Sequence, residues 1–286
     1  MSITITEPGI YSGIPNHVYH SDPTPDGSLS VSGAKLLLAP STPAHFRHRM
    51  DNPVHKDVFD YGTAAHSLVL EDDESGIVVV DAPDWRSKAA QEAKNAAYAT
   101  GKTPLLTKDF AQVKDMAAAI KLHPIAGKLF TGGQAEQSAF VKDEQSGVWL
   151  RGRFDYLPEI RSDRRLIIPD YKSATSADPA KFAKSAADYR YFMQDPWYRD
   201  LVTKLGLHDD IAFVFVVQEK TPPYAVNVIE LDIMAVRMGR ELNRRAIETY
   251  AECTRTGVWP QYQGVTQISL PVWAEREAEG ILDNAA

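Results

Sequence analysis

The chain has 286 residues, 44% of them hydrophobic and 24% charged, which fits a globular protein with a substantial core. The single cysteine, Cys253, excludes a disulfide framework and any metal or cluster site built from four cysteines. The net charge of −7 argues against a general nucleic-acid binder unless basic residues gather on one face. We expect a cytoplasmic protein, because the N-terminal sequence lacks the order of a signal peptide and no apolar run is long enough to span a membrane.

The N-terminal part of the chain predicts an arm followed by helices. Its first 30 residues are rich in Pro, Gly, Asp and His, which is typical of an extended arm with turns. Ser30 or Ser32 is a suitable N-cap for the first helix. The predicted elements are a helix over 28–50, an amphipathic helix over 57–71, a strand over 77–81 and an alanine- and lysine-rich helical hairpin over 85–130.

The C-terminal part predicts most of a β-sheet. Three consecutive strand candidates with turn signals between them form a meander, and helices and two further strands follow it. The predicted elements are strands over 135–141, 148–157 and 165–172, a helix over 178–203, strands over 211–218 and 224–231, a helix over 233–255 and an irregular tail.

This order of elements favours one α/β domain with a mixed central β-sheet flanked by helices and an N-terminal helical region. We expect a single domain over residues 1–286. Its parts are an arm over 1–30, a mostly helical region over 31–130, a sheet-containing core over 131–255 and a tail over 256–286.

The strand "LIIPDYKSA" ends an apolar run with Asp170, Tyr171 and Lys172. Residues two apart in a strand point to the same face, so the Asp170 carboxylate and the Lys172 ammonium emerge together. An acid-x-lysine spacing alone is a weak motif. The chain contains a second case, Glu92 and Lys94, in a region predicted to be helical, where the two side chains diverge.

Asp155 strengthens the case, because it lies toward the end of the preceding predicted strand, one hairpin away. Asp155 and Asp170 can therefore converge at one end of the sheet. Two carboxylates that meet repel each other unless a cation lies between them, and hard oxygen ligands select Mg²⁺ or Mn²⁺. The alternative is that both are surface acids at the edges of turns.

An acid on one strand, followed by acid-x-lysine on the next, resembles the core of the PD-(D/E)xK nuclease superfamily, whose fold is restriction-endonuclease-like. Here Asp155 takes the place of the earlier acid without a proline before it. The resemblance implies that Asp155, Asp170 and Lys172 are catalytic.

Further motifs are similar to the RecB-like branch, and within it to the RecE-type exonuclease VIII family of phages and prophages. His66 follows Gly62 on a predicted helix, Glu136 lies on the strand before Asp155, and "MQDPWY" supplies Gln194 and Tyr198. The N-terminal text "YHSDP" and "SLSVSGAKLLLAPSTPAHFRH" closely resembles the RecE-type signature, and the likeness extends from about residue 10 to 260. Pro196 departs from the pattern, because proline inside a helix removes a backbone donor.

The resemblance implies a set of site residues. The expected metal ligands are His66, Asp155, Asp170 and the backbone carbonyl of Tyr171, with Lys172 beside them and Glu136 as an accessory acid. We also expect contacts to DNA, which the resemblance or the strand geometry assigns to Gln194, Tyr198, Arg153, Ser32 and Lys35.

The activity implied by the resemblance is that of a Mg²⁺-dependent exodeoxyribonuclease, with Mn²⁺ tolerated. Such an enzyme degrades linear double-stranded DNA from 5′ to 3′ and leaves 3′ single-stranded tails for an annealing protein, and it forms a homo-oligomeric ring. If the chain is phage-encoded, its location is the host cytoplasm. The alternatives are a RecB-like endonuclease, a nuclease of opposite polarity, or an inactive DNA-binding protein with a nuclease fold.

Overall fold

The computed structural model describes residues 3–52, 58–71 and 73–283. Residue 57, where the second predicted helix begins, lies outside the described residues. The strands are β1 (Gly9–Tyr11), β2 (Ser28–Ser30), β3 (Ile77–Val80), β4 (Thr103–Leu106), β5 (Gly133–Lys142), β6 (Trp149–Pro158), β7 (Leu166–Ala174), β8 (Ile211–Glu219) and β9 (Val226–Ile229). The helices are α1 (Asn16–His20), α2 (Val31–Leu37), α3 (Pro43–Asp51), α4 (Val58–His66), α5 (Lys88–Ala99), α6 (Thr107–Leu122), α7 (Ala126–Leu129), α8 (Pro179–Asp188), α9 (Tyr191–Lys204), α10 (Ile233–Thr256) and α11 (Val272–Asp283).

The strands form mixed sheets, as the sequence predicts. One sheet has the order β1-β5-β6-β2, a second has the order β7-β8-β9, and β3 pairs with β4. Both larger sheets combine parallel and antiparallel pairs. Strands β6 and β7 pack side by side although they belong to different sheets. The expected single central sheet is therefore divided between β6 and β7.

The main core lies between these sheets and helices α2, α8, α9 and α10. Strand β8 is buried over eight of its nine residues, because it is covered on both faces and is almost entirely apolar. A second apolar cluster joins α4 and α6 to the far faces of β7 and β8 through Tyr171 and Val216. The β7 strand thus has a packed core on each side, which fixes its position.

The predicted helix over 178–203 is two helices, and this prediction was wrong in that detail. Helix α8 ends at Asp188, and Arg190 adopts a left-handed conformation with φ of 53° before α9 begins. A non-glycine residue in this region is uncommon, so the sequence carried no turn signal at this point.

Pro196 does not end α9, which continues to Lys204. Proline has no N–H group, so the Phe192 carbonyl one turn earlier loses its helical partner. Gly239 of α10 packs directly on that carbonyl, where a Cβ atom would overlap it. Asn243, one turn further along α10, donates a 2.9 Å hydrogen bond to the Met193 carbonyl. The second helix therefore covers the irregular part of the first.

The N-terminal arm is more ordered than the predicted extended chain. Strand β1 pairs with β5, and β2 pairs in parallel with β6. Asp22 accepts a 2.5 Å bond from the backbone N–H of Ser28 and pairs with Arg151 of β6. These contacts hold the arm on the four-stranded sheet.

Other differences concern how many elements a predicted range contains. The predicted helix over 28–50 is β2, α2 and α3, with Ser30 as the N-cap of α2. The predicted hairpin over 85–130 contains the short strand β4, and the tail contains α11. No helix in the described ranges is long and apolar enough to cross a membrane.

Candidate metal centre

The site lies where β6 and β7 separate. Because no strand pairing joins these two strands, the Tyr171 backbone N–H is free to point across the gap. It donates a 2.7 Å hydrogen bond to Oδ2 of Asp155. One carboxylate therefore bridges the two sheets, and its position depends on both.

Asp170 and Lys172 emerge together from β7, as the two-residue spacing predicts. The Lys172 ammonium forms a close ion pair with Oδ2 of Asp170, which is 3% exposed. Gln194 of α9 donates a 2.6 Å hydrogen bond from Nε2 to the other oxygen, Oδ1. The acid is thereby held by a fixed cation on one side and an amide on the other.

His66 arrives from the opposite direction, at the end of α4. Its Nδ1 lies 3.8 Å from Oδ2 of Asp155, and its ring packs edge-on against Tyr171 with centroids 5.2 Å apart. The following turn, Ser67–Glu71, is a π-helix, a form often found at functional sites. Burial, reinforced by the nearby Lys172 charge, lowers the pKa of His66 to about 4. The imidazole is therefore neutral at pH 7 and keeps a lone pair for a ligand.

Glu136 faces Asp155 from the neighbouring strand. The register pairs Ala135 with Tyr156 and Gln137 with Phe154, which places Glu136 directly across from Asp155. Its backbone is left-handed, with φ of 52°, an unusual conformation for a residue within a strand. Burial and repulsion by Asp155 raise the pKa of Glu136 to about 7.

The buried charges of the site partly compensate one another. Burial raises the pKa of Asp155, and it raises that of Asp170 to about 6 against the attraction of Lys172. Burial lowers the pKa of Lys172, but the attractions of Asp170 and Asp155 outweigh it, so the net shift is upward. Lys172 is therefore an ammonium group at neutral pH, where it balances the charge of Asp170.

The side chains of the site include the kinds of atoms that bind a divalent cation. They are carboxylate oxygens and a neutral imidazole, and Oδ2 of Asp170 is a buried oxygen that accepts no hydrogen bond of acceptable geometry. Within the described ranges, however, no three His, Cys, Asp or Glu side chains form a complete cluster of metal ligands. The Lys172 ammonium contacts Oδ2 of Asp170, and the Tyr171 N–H donates to Oδ2 of Asp155, so one oxygen of each carboxylate already has a partner within the protein.

A family model described as "PDDEXK-like domain of unknown function (DUF3799)" matches residues 30–269, which include every acid of the site. The chain belongs to this family. PDDEXK-like domains have the fold of the PD-(D/E)xK nucleases, which generally depend on a divalent metal. The predicted superfamily and fold class are confirmed. The narrower RecE-type assignment stays a prediction.

The fold of this PDDEXK-like domain is similar to a crystal structure of a candidate exonuclease from Eubacterium rectale. The TM-score is 0.56 with 11% sequence identity, over 81% of this chain and 82% of the other. At that identity the likeness shows the fold alone. No curated protein matches the sequence.

Two residues expected at the DNA face of the PDDEXK-like domain have partners within the protein. Arg153 donates to Ser138 Oγ at 3.0 Å and to the Ile14 carbonyl at 2.7 Å, and it lies 3.6 Å from Glu136. Tyr198 is 8% exposed, and its hydroxyl donates to the Arg153 carbonyl at 2.7 Å. Their polar groups are directed into the protein, and the prediction that they contact DNA stays a prediction.

Gln194 also has a partner within the protein, and its predicted contact with DNA stays a prediction. Its amide is directed at Asp170, so the geometry assigns it to holding the acid. Ser32 is exposed on the first turn of α2, and its role stays a prediction. The predicted ligation by the Tyr171 carbonyl likewise stays a prediction.

Lys35 lies close to Lys172 beside the candidate metal centre, and its predicted contact with DNA stays a prediction. Its ammonium lies 5.4 Å from the centre of the Tyr191 ring, and the Lys172 ammonium lies 5.3 Å from the same ring. No sequence motif singles out Tyr191, although both lysines lie close to its ring. The only sequence signal for it was its position at the start of an aromatic helix.

Proposed function

We propose that this chain is a metal-dependent exodeoxyribonuclease. The observation that supports it is the arrangement in which His66, Asp155 and Asp170 lie around the protonated Lys172 in the gap between two sheets. The PDDEXK-like family supports a nuclease in general terms. Mg²⁺ is the proposed cofactor, and Mn²⁺ suits the imidazole equally well.

In this proposal Asp155, Asp170 and His66 hold one divalent cation, together with the Tyr171 carbonyl. A divalent cation in such a site acidifies an attacking water and withdraws charge from the phosphate group. Glu136 borders the same space, and at a pKa of about 7 it is poised to accept or release a proton there.

The other residues set the positions of these donors. The Tyr171 N–H and the Gln194 amide fix the orientations of the two carboxylates. Lys172 stays protonated, so its Nζ can donate to a phosphoryl oxygen or orient the attacking water while it balances the charge of Asp170. The apolar packing of Tyr171 against α4 keeps bulk water from one side of the site.

The substrate proposed is linear double-stranded DNA, degraded from 5′ to 3′ to leave 3′ single-stranded tails for recombination. The support is the RecE-type resemblance in the order and spacing of His66, Glu136, Asp155, Asp170 and Lys172. We further propose a ring of several copies acting in the cytoplasm with an annealing protein. A ring would allow a chain of net charge −7 to direct its basic residues toward DNA.

The test is a cleavage assay with linear duplex DNA labelled at the 5′ end or at the 3′ end of one strand, beside a closed circle. With Mg²⁺ or Mn²⁺ we expect immediate release of the 5′ label as mononucleotide, progressive shortening of the 3′-labelled strand, and an intact circle. EDTA should abolish both reactions.

Matched variants distinguish the site from the surface. Asp170→Asn should abolish cleavage, while Asp209→Asn, which changes an exposed acid, should retain it. Cleavage of the circle would indicate an endonuclease, and early release of the 3′ label would indicate the opposite polarity. DNA binding without metal-dependent cleavage by the wild-type protein would reject an enzymatic role.

A further inference from the structure

An aromatic stack runs from the core to the surface beside the metal centre. Tyr191 packs on the buried rings of Phe182 and Phe215, with centroids 5.9 Å and 5.8 Å away. Tyr189 continues the stack at 5.7 Å from Tyr191, with its ring tilted by 33°. Tyr189 is 64% exposed, so the stack ends in a ring that faces solvent.

Two cations accompany this stack, and neither has a carboxylate partner within ion-pair distance among the described residues. Lys35 is half-buried over the Tyr191 ring, and among the described residues no carboxylate lies within ion-pair distance of its Nζ. Arg190 bonds the Ala39 carbonyl through Nη2, while its Nη1 is buried with no hydrogen-bond partner in the described part of the chain. Buried donors are normally satisfied, so this N–H group is available to an added acceptor.

The start of α9 adds a third donor. Arg190 is the N-cap residue of this 14-residue helix, but its side chain makes no capping bond. The first backbone N–H groups of a helix have no partner within the helix, and they attract anions. The left-handed backbone of Arg190, with φ of 53°, separates Tyr189 from the start of α9 at Tyr191.

We propose that Lys35, Tyr189, Arg190 and Tyr191 form a subsite for one unpaired nucleotide of a DNA strand. Its phosphate lies against the two cations and the start of α9, and its base stacks on Tyr189. Aromatic stacking suits any base, because every base has a π-face. This inference rests on the proposed function for the identity of its substrate and places the nucleotide beside Lys172.

The experiment measures fluorescence anisotropy of the full-length protein with single-stranded DNA of about 12 nucleotides, in EDTA so that no cleavage occurs. The oligonucleotides carry a 5′-phosphate or a 5′-hydroxyl group, and matched forms lack the base of the first or the last nucleotide. We expect removal of one terminal base to weaken wild-type binding about tenfold.

The variants test each part of the subsite. Tyr189→Ala should bind about tenfold more weakly and should no longer distinguish the base-free end. Tyr189→Phe should behave as the wild type, and Trp273→Ala, which removes another exposed ring, serves as a control. Lys35→Gln should remove the preference for a 5′-phosphate if the anion is terminal, or weaken both forms equally if it is internal.

Two results would overturn the subsite. One is a Tyr189→Ala variant that still distinguishes the base-free end, and the other is unchanged affinity in Lys35→Gln. The proposed function fails separately. If the wild-type protein distinguishes terminal bases but does not cleave DNA in the presence of metal, the proposed nuclease function is rejected and the subsite is retained. If the protein cleaves DNA but its binding does not depend on Tyr189, only the subsite is rejected.

Discussion

Two groups of cations border the metal centre, and they differ in what their charges contact. The inner arginines, Arg151 and Arg153 of β6, are directed into the protein. Arg151 pairs with Asp22 and bonds the Ser28 carbonyl at 2.8 Å, and Arg153 has the acceptors described above. The outer cations, Lys35 and Arg190, have no carboxylate partner among the described residues.

The difference shows that proximity to the acids does not make a cation a DNA contact. A guanidinium whose acceptors are all internal fixes the fold, whereas an ammonium desolvated without a counter-ion is available to a ligand anion. Burial, then the Lys172 charge, lowers the pKa of Lys35 to about 8, and a bound phosphate would relieve that cost.

The largest expected effect of a substitution is at Lys172, which contacts Asp170 and lies close to the Tyr191 ring. Lys172→Met should lower cleavage about 10²- to 10³-fold, because it removes a positioned charge at the reacting phosphate. Arg153→Met, a change of similar size, should cost less than about tenfold once the protein is folded. Rates should be measured on variants whose circular dichroism matches the wild type. If Lys172→Met and Arg153→Met lowered the cleavage rate equally, the inner arginines could not be assigned a purely structural role.

The next effect is on stability. Arg151→Met leaves Asp22 without its buried partner and should lower the free energy of unfolding by about 3 kcal/mol. Lys35→Gln should leave it unchanged or slightly raised, because a desolvated charge is removed. Urea denaturation of both variants provides the measurement. An Arg151→Met variant as stable as the wild type would show that the inner arginines do not hold the arm.

A smaller effect concerns pH. Glu136 has a folded pKa of about 7 against 4.5 for the free side chain, so its contribution to stability is full below pH 4.5 and is lost as pH rises through 7. Over pH 6.5 to 8, His66 (folded pKa about 4, free 6.5) and Lys35 (folded pKa about 8, free 10.5) change the stability in the opposite direction, because at these groups the unfolded chain binds more protons than the folded one. The Glu136 contribution is therefore measured against Glu136→Gln: in EDTA we expect the wild-type Tm to fall by about 1–2 °C relative to that variant over this interval, after a discount for solvent screening.

The measurement is differential scanning fluorimetry of the wild type and Glu136→Gln across the same pH values. Added Mn²⁺ should raise the Tm more at pH 8 than at pH 6.5, because the cation binds the deprotonated acids. A Tm that falls equally in Glu136→Gln would assign the effect to another group.

The smallest effect is in salt dependence. If Lys35 contacts a phosphate, Lys35→Gln should reduce the slope of log affinity against log salt for single-stranded DNA by about 0.7. Arg153→Gln should leave the slope unchanged, since its charge is neutralised inside the protein. Equal slopes for Lys35→Gln and the wild type would place Lys35 with the inner arginines.

The sequence predicted the strands of the site well. The expected ranges 148–157 and 165–172 lie within two residues of β6 and β7 at each end. Alternation of apolar residues and turn chemistry are local signals, so they can be seen in the sequence. The shared face of Asp170 and Lys172 followed from the same two-residue period.

What could not be predicted depends on long-range packing. The separation of β6 from β7 exposes the Tyr171 N–H, and no local pattern distinguishes a separated pair of strands from a joined one. Arg153 and Lys35 both appear in the sequence as basic residues near a motif, and only their neighbours in space assign them different roles. The break at Arg190 lacked a glycine to mark it.

The contact between Gly239 and the Phe192 carbonyl allows α10 to influence the position of Gln194 at the candidate site. Gln194, which steadies Asp170, lies two residues beyond Phe192 on the same helix. Adding a single methyl group at position 239 would push the two helices apart and tilt this amide away from its acid. We therefore expect Gly239→Ala to give a heat-sensitive protein, in which the Gln194–Asp170 hydrogen bond is lost at a lower temperature than the fold.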